Sequence, residues 1–490
     1  MRHTGRRSIS ELRRRAAAPR GARLAVVAAA LLLAAASFAA LWPGYALYDS
    51  VGQFRQALSG RYDDWHPPVM ARLWALLHGR FGGTTGPMLA VQLGGYWLGF
   101  GLIAEALATT GRWRSAVAVL LLAGSPLLLG WQAAILKDAQ MLGALVAGVG
   151  IIAAFALRDR RVPTIAAAVV ALLFGYALLV RSNAVFAVVP LVVLLAPRPV
   201  GLIAKLLAIG ALSLAVIAAE PWLNHHLFNA RTTGVEKTQP LYDLAAIGVR
   251  EGRDSPFTPA ELAIFRAKGC VKAYFWDPLD DEAACRGQLA RLQGKEPATL
   301  YRLWARGIAA HPAAYAKHRL AHWNSTERWL VPPGRIGAEP PEASEPNDLG
   351  LIAPLSRLAT IIQSLGAAEA GTPLGWPIVW SLLALVAAAV AWSRRNEPAA
   401  GFALALAGSA LGMEASFLVV SISSDLRYHL WPMAASALAL ILLADAPPAR
   451  RGPAMLAVVA LAAVIAAGLH ARSTLPRAPA TYRAMIDTTG

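Results

Sequence analysis

The chain has 490 residues, of which 56% are hydrophobic and only 15% charged. A soluble protein of this length could not bury so much apolar surface, so the composition excludes a water-soluble globular class and gives a polytopic membrane protein. The net charge of +17 does not mark a nucleic-acid binder, because the arginines cluster in short segments between apolar runs.

The N-terminal stretch 1–23 is basic and precedes an apolar run from Leu24 to Leu41. That run is long enough to span and lacks a short core with a small-residue cleavage site, so it reads as an uncleaved first helix behind a cytoplasmic tail. A span needs about 20 apolar residues. On that rule helices are expected at 24–42, 87–110, 115–131, 139–157, 163–180, 184–197, 200–221, 372–392, 398–420, 428–445 and 453–470. The fold class expected is therefore an all-α polytopic membrane protein of about eleven transmembrane helices with one mainly helical extracytoplasmic domain. Its parts are the tail 1–23, an N-terminal transmembrane module 24–221 with a first outer loop at 43–86, the extracytoplasmic domain 222–371, C-terminal helices 372–470 and a tail 471–490.

The stretch 164–196 could be one long span or two short ones. One span would leave Arg181 in mid-bilayer at a cost of roughly 2.5–3.5 kcal/mol or more. Two spans put the N-terminal arginines, Arg112 and Arg114, Arg158, Arg160 and Arg161, Arg198 with Lys205, Arg394 and Arg395, and Arg450 and Arg451 on one side, which positive-inside counting makes the cytoplasm. The opposite side then gathers Asp49, Asp63, Asp64, His66, Asp138 and Asp425. The domain 222–371 carries both cysteines, Cys270 and Cys285, either as one disulfide in an oxidising compartment or as two thiols. Its stretch 298–323 has helical spacing, 332–347 is proline-rich and reads as an exposed irregular linker, and 349–366 is amphipathic and suited to the membrane surface.

Asp49 follows Trp42, Pro43 and Tyr45 where the first helix leaves the membrane. It either caps the helix that follows or, partly desolvated, acts as a general base. Asp63, Asp64 and His66 fall within four residues, and either form a capped, solvated turn or shape a pocket and hold a divalent cation. Pro67 and Pro68 start the next helix. Lys137 and Asp138 either cap a helix as an ion pair or belong to a site. Arg181 and Arg427 lie in very short outer turns, where a guanidinium either snorkels to the headgroups or makes bidentate contact with a lipid phosphate.

The ordered set Asp49-Ser50, Gln53 and His66-Pro67-Pro68 in the first outer loop, Lys137-Asp138 in the second, Arg181-Ser182-Asn183-Ala184 after the fifth helix, and Arg427-Tyr428 with Pro432 near the end resembles the GT-C superfamily. Within it the likeness is to glycosyltransferases of the protein mannosyltransferase and aminoarabinose-transferase type (the family 39-like enzymes). The resemblance implies a polyprenyl-phosphate sugar donor, a site at the outer face of a bacterial cytoplasmic membrane, and a first-loop aspartate as base, here Asp49. Those enzymes often carry Asp-Glu where this chain has Asp49-Ser50, so the second carboxylate is expected from Asp138. Gln53, Asp64, His66, Lys137, Arg181, Asn183, Arg427 and Tyr428 are the expected substrate-binding residues. Whether a divalent cation takes part, on Asp49, Asp138 and His66, stays open. The expected partners are the lipid-linked sugar, membrane lipids and an acceptor glycolipid, glycan or protein. The rival readings are a lipid-linked substrate transporter or flippase, for which Glu414 and Glu105 are the intramembrane acids, a polysaccharide polymerase or ligase, and a non-catalytic scaffold.

Overall fold

A computed structural model of the chain describes residues 20–196, 201–252, 255–353, 356–444 and 451–487. The arginines before residue 20, Arg198 and Arg450, which entered the charge counting, lie outside the described residues. Among those described the protein is all-α, with isolated bridges in place of strands. Seven helices are long and apolar enough to cross a membrane: Gly21–Leu41, Gly86–Thr109, Lys137–Ala156, Leu202–Leu227, Pro398–Ser416, Leu426–Leu443 and Met455–Thr474.

This differs from the expected eleven. The stretch 115–131 is two helices, Trp113–Ala123 and Pro126–Gln132, bent by 51° and together long enough for an eighth span. The bend follows from the sequence, since Ser125 accepts the Leu128 amide as an N-cap and Pro126 opens the next helix. The remaining three segments are shorter apolar helices, Thr164–Val180, Ser182–Leu195 and Pro377–Ser393.

In chain order the helices that frame the site are α1 (Arg20–Leu41), α2 (Tyr48–Ser59), α3 (Val69–Phe81), α4 (Gly86–Thr109), α5 (Trp113–Ala123), α6 (Pro126–Gln132), α7 (Lys137–Ala156), α8 (Thr164–Val180) and α9 (Val185–Leu195). Helices α4 and α7 meet backbone to backbone. A Cβ on Gly99 would lie 2.2 Å from the Val146 carbonyl carbon, and one on Gly150 would lie 2.5 Å from the Gly99 oxygen. Glycine is what lets two membrane helices approach this closely.

Helix ends sort the charges into two groups. Arg23 lies 2.6 Å from Glu105, Arg158 bonds the same carboxylate and Thr109, and Arg112 donates to the Leu442 carbonyl at 2.8 Å. Glu105 is thus held at a helix end. The chain reverses at Arg181: Phe174 packs on Gly148, while Gly412 meets the Phe186 carbonyl and Gly408 meets Leu194. Arg181 consequently shares an end with Asp138, opposite Glu105.

Beyond α10 (Leu202–Trp222), region 222–371 builds its own core on α11 (Thr238–Glu251), α12 (Pro259–Ala267), α13 (Asp277–Asp281), α14 (Ala283–Gln293), α15 (Pro297–Ala310) and α16 (Pro312–Thr326). Tyr242, Phe265, Trp276, Leu289 and Leu300 fill it. Cys270 and Cys285 form a disulfide with Cα atoms 5.8 Å apart. Arg319 ties this core to the membrane helices by donating to the Leu418 and Ser421 carbonyls, both at 2.9 Å. After α17 (Arg357–Ala370) come α18 (Pro377–Ser393), α19 (Pro398–Ser416), α20 (Leu430–Leu443) and α21 (Arg451–Thr474). A last short helix, α22 (Tyr482–Asp487), folds back onto region 222–371. There the Tyr482 hydroxyl meets Asp277 at 2.9 Å and Asp281 at 2.6 Å.

The proline-rich stretch is irregular as expected but is not a free linker. The Leu426 amide donates to the Gly337 carbonyl at 2.7 Å, Pro340 packs at Gly130 and Gly366, and Ser344 accepts the Ala46 amide at 3.0 Å. The Glu345 amide donates to the Ala46 carbonyl at 2.9 Å, and Arg55 pairs with Asp348. These pins make residues 333–348 a strap over the end of the bundle that holds Asp49. The amphipathic stretch forms α17, which buries Ala359, Gln363 and Gly366 and exposes Leu358, Ile361 and Leu365.

Candidate functional site

The first loop is placed by its backbone. Gly44 sits at φ +91°, with the position of an added Cβ 2.9 Å from Ile135 and 3.1 Å from the Ala133 carbonyl, so only glycine turns here. Tyr45 then exchanges backbone bonds with Ala133 at 2.8 Å and Ile135 at 2.9 Å. Ser50 accepts the Leu47 amide at 3.0 Å and donates to the Ile135 carbonyl at 2.6 Å. The helix is therefore capped at Leu47 with help from Ser50. The carboxylate of Asp49 is used elsewhere.

Asp49 lies 3.2 Å from Nη2 of Arg427 and 3.6 Å from Nε2 of His66. Lys137 Nζ lies 2.5 Å from Nδ1 of His66. An ammonium can only donate, so Nδ1 is the acceptor and the ring proton sits on Nε2, aimed at Asp49. Burial and the Lys137 charge push His66 down to about 3, so the ring is neutral at ordinary pH. Burial alone would raise Asp49, but the charges of Arg427, Lys137 and Arg181 and the His66 ring outweigh it and hold the carboxyl well below the usual range.

Asp138 is only 1% exposed. Nε of Arg181 lies 3.2 Å from it and Nε of Arg427 3.8 Å. Arg427 also reaches Asp425 at 3.3 Å. Arg181 is set by the Asn183 side chain, which accepts from its Nε at 3.2 Å, and by the Tyr428 ring, whose centroid is 4.2 Å from its guanidinium carbon. Three carboxylates (Asp49, Asp138, Asp425) thus interlock with two guanidiniums (Arg181, Arg427), and Lys137 joins the group through His66. Long stretches of chain separate the loops that supply them.

The fold brings together Asp49, His66, Lys137, Asp138, Arg181, Asn183, Arg427 and Tyr428 from the expected set. Gln53 lies one helical turn beyond Asp49, so it shares that face. It is 1% exposed, and neither end of its amide has a hydrogen-bond partner. Asp64 is used differently. It accepts from both the amide and hydroxyl of Thr233 at 2.7 Å and faces His225 at 3.4 Å, fastening the first loop to the segment after α10. Asp63 turns the loop by accepting the Trp65 amide at 3.2 Å.

Among the described residues no group of three or more His, Cys, Asp or Glu side chains is placed to hold a metal ion. Asp49 and Asp138 both face the Arg427 guanidinium, which takes the place a shared cation would need. The residues therefore do not fit a divalent ion in this arrangement.

Sequence reasoning missed the strap. Two of its pins, at Gly337 and Glu345, are main-chain bonds, which leave no side-chain signature. It also missed a buried cluster beneath the Arg427 turn. Glu414 bonds Nδ1 of His429 at 2.7 Å, and His429 meets the Thr326 hydroxyl at 3.0 Å. Glu327, fully buried, accepts from Ser381 at 3.3 Å. The signal available was Glu414, an acid inside an apolar run. Comparison with family models, curated proteins and solved structures found no match to this chain.

Proposed function

We propose that the protein is an integral-membrane glycosyltransferase that moves a sugar from a polyprenyl-phosphate donor to an acceptor hydroxyl. The observation that carries this reading is an ionised Asp49 paired with Arg427, with Lys137 and Arg181 in the same charge cluster, at one end of the helix bundle. A base for a hydroxyl and cations for a phosphate are the two things that sugar transfer from a lipid phosphate requires. The resemblance to the GT-C superfamily supplies the reaction class.

In this mechanism the acceptor oxygen attacks the sugar C1, the bond from C1 to the phosphate oxygen breaks, and Asp49 takes the acceptor proton. Arg181, Lys137 and Arg427 stabilise the charge that grows on the departing phosphate. Asp138 holds Arg181 and Arg427 in place, and His66 presents its Nε2 proton 3.6 Å from Asp49. Arg427 suppresses the basicity of Asp49 in the resting site. A lipid phosphate competes for the same guanidinium, so donor binding frees the base at the moment it is needed.

The same reading keeps eleven crossings. The two 17-residue helices, Thr164–Val180 and Pro377–Ser393, rise about 26 Å at ~1.5 Å per residue, close to a hydrocarbon core of about 30 Å. It also places the N-terminus in the cytoplasm and region 222–371 outside, in a bacterial inner membrane, with the exposed apolar face of α17 against lipid. A glycolipid, a glycan or a protein would serve as acceptor.

The test is Asp49→Asn in membranes supplied with a labelled polyprenyl-phosphate sugar. Loss of transfer at normal expression supports the reading, and undiminished transfer sinks the assignment of Asp49 as base.

A second reading, a proton-coupled transporter or flippase of lipid-linked substrate, draws on the buried Glu414–His429 pair with Glu327 close by. Buried ionisable groups within membrane helices mark proton and ion paths. Labelled substrate crossing proteoliposome membranes with no glycosidic bond formed, and a loss of that flux in Glu414→Gln, would favour it. A polymerase or ligase shares the donor chemistry and would be recognised by a whole glycan as product.

A further inference from the structure

The strap and the first loop enclose a cleft of about 440 Å³ that none of the functional assignments uses. One wall is α2, with Arg55 and Gln56; the second is the turn with Trp65 and His66; the third is the strap, with Glu345 and Asn347. His66 is common to the cleft and the charge cluster, since its Nε2 lies 3.6 Å from Asp49. A group bound at the inner end of the cleft is therefore one imidazole ring away from the candidate base.

The walls are built rather than incidental. The Glu345 amide is pinned to the Ala46 carbonyl at 2.9 Å, just before the start of α2. Asn347 folds the strap by accepting the Leu349 amide at 3.1 Å and the Leu351 amide at 3.0 Å. Gln56 accepts the Asp63 amide at 3.3 Å. Arg55 and Asp348 join α2 to the strap.

The lining chooses the occupant. Trp65 is 42% exposed and Tyr48 80% exposed, which leaves two aromatic surfaces available in a cleft whose other walls mix Val51 and Pro346 with the charged and amide groups of Arg55, Glu345 and Asn347. Aromatic faces beside planar polar groups suit a ring that has C–H surfaces and vicinal hydroxyls, as sugars do. No strand borders the cleft, so an extended peptide has no edge to pair with. The mixed polar lining would strand an acyl chain against charged groups. The volume admits a sugar of one or two rings.

We propose that this cleft is the acceptor subsite and that it binds a carbohydrate, the sugar of a glycan or glycolipid, stacked on Trp65 and Tyr48 with its reactive hydroxyl directed past His66 toward Asp49. The proposal rests on the glycosyltransferase reading and identifies the acceptor class within it.

The experiment is saturation-transfer NMR on the full-length protein in sugar-free nanodiscs. The probes are free glucose, galactose and N-acetylglucosamine, with a serine- and threonine-containing hexapeptide alongside. The proposal expects at least one sugar to bind, about tenfold more weakly in Trp65→Ala and more weakly also in Glu345→Gln. Absence of sugar binding, sugar binding indifferent to Trp65, or peptide binding that depends on Trp65 would each overturn it. Because binding is read without turnover, the two claims separate. Sugar bound at Trp65 in a protein that transfers nothing would refute the transferase alone, whereas transfer to a peptide in a protein that binds no free sugar would refute the subsite alone.

Discussion

Both ends of the bundle pair carboxylates with arginines, yet they are built differently. At one end Glu105 is gripped by Arg23 and Arg158, and the Arg23 side chain is 56% exposed. At the other, Asp138 is sealed in, and Arg427 is divided among Asp49, Asp138 and Asp425. The first arrangement fastens helix ends with one acid and two bases in reach of water. The second draws on the loops after α1, α6, α8 and α19 and leaves Gln53 beside it with no partner. A clamp needs satisfied groups, whereas a site that waits for a ligand does not.

Asp49→Asn should separate the two ends most sharply. If Asp49 is the base, transfer from a labelled polyprenyl-phosphate sugar falls by about 10²–10⁴, while Glu105→Gln leaves the rate unchanged. The second comparison is of stability, followed by thermal or denaturant unfolding of the purified protein. Asp138→Ala leaves Arg181 without its carboxylate, while Arg427 keeps Asp49 and Asp425, and should cost up to about 3–5 kcal/mol. Glu105→Gln keeps a side chain that can still accept hydrogen bonds and leaves Arg23, 56% exposed, in reach of water, so it should cost less, about 1–2 kcal/mol. Equal costs would erase the distinction.

A third test uses pH. Burial raises Asp49 and the surrounding cations lower it further than burial raises it. Removing one cation in Arg427→Gln must therefore raise its pKa. The acid limb of the rate profile should move to higher pH in that variant, and an unmoved limb would detach Asp49 from the rate. The smallest effect is expected at the C-terminal clasp. Burial, together with Asp281, Asp425 and Asp49 nearby, raises Asp277 from 3.8 to about 6, although the Tyr482 hydroxyl bonded to it pulls the other way. A raised acid takes up a proton on folding, so Asp277 adds stability below its ordinary value and loses it as pH climbs through about 6. The unfolding midpoint of the purified protein should fall over that window, and Asp277→Asn should flatten the fall.

The site was largely legible because its residues occupy short turns between apolar runs. Charge counting alone brings Asp49, Asp138, Arg181 and Arg427 to one side, and the structure places these four in contact. Arg181 was readable because its charge forbids a continuous span, and the helix does break there. Asp64 was not readable, since its partners Thr233 and His225 lie far along the chain and nothing in the Asp63–His66 turn announces them. The strap was hidden for the opposite reason: Gly337 and Glu345 are held through main-chain atoms that every residue has, so its proline content reports irregularity without destination. The number of crossings is not carried by length alone, because composition does not say how a bundle accommodates helices of 11 to 17 residues such as α5, α8 and α18.

The fold-back of α22 has a consequence for how the protein is made. Met485 and Ile486 pack on Phe275, and the Ala478 amide donates to the Pro333 carbonyl at 3.0 Å. The surface around Phe275 and Pro333 is synthesised long before the residues that cover it. Region 222–371 therefore waits, incompletely covered, until Tyr482–Asp487 has been synthesised and α21 inserted. A nascent chain stalled before Tyr482 would present that apolar surface to chaperones and proteases.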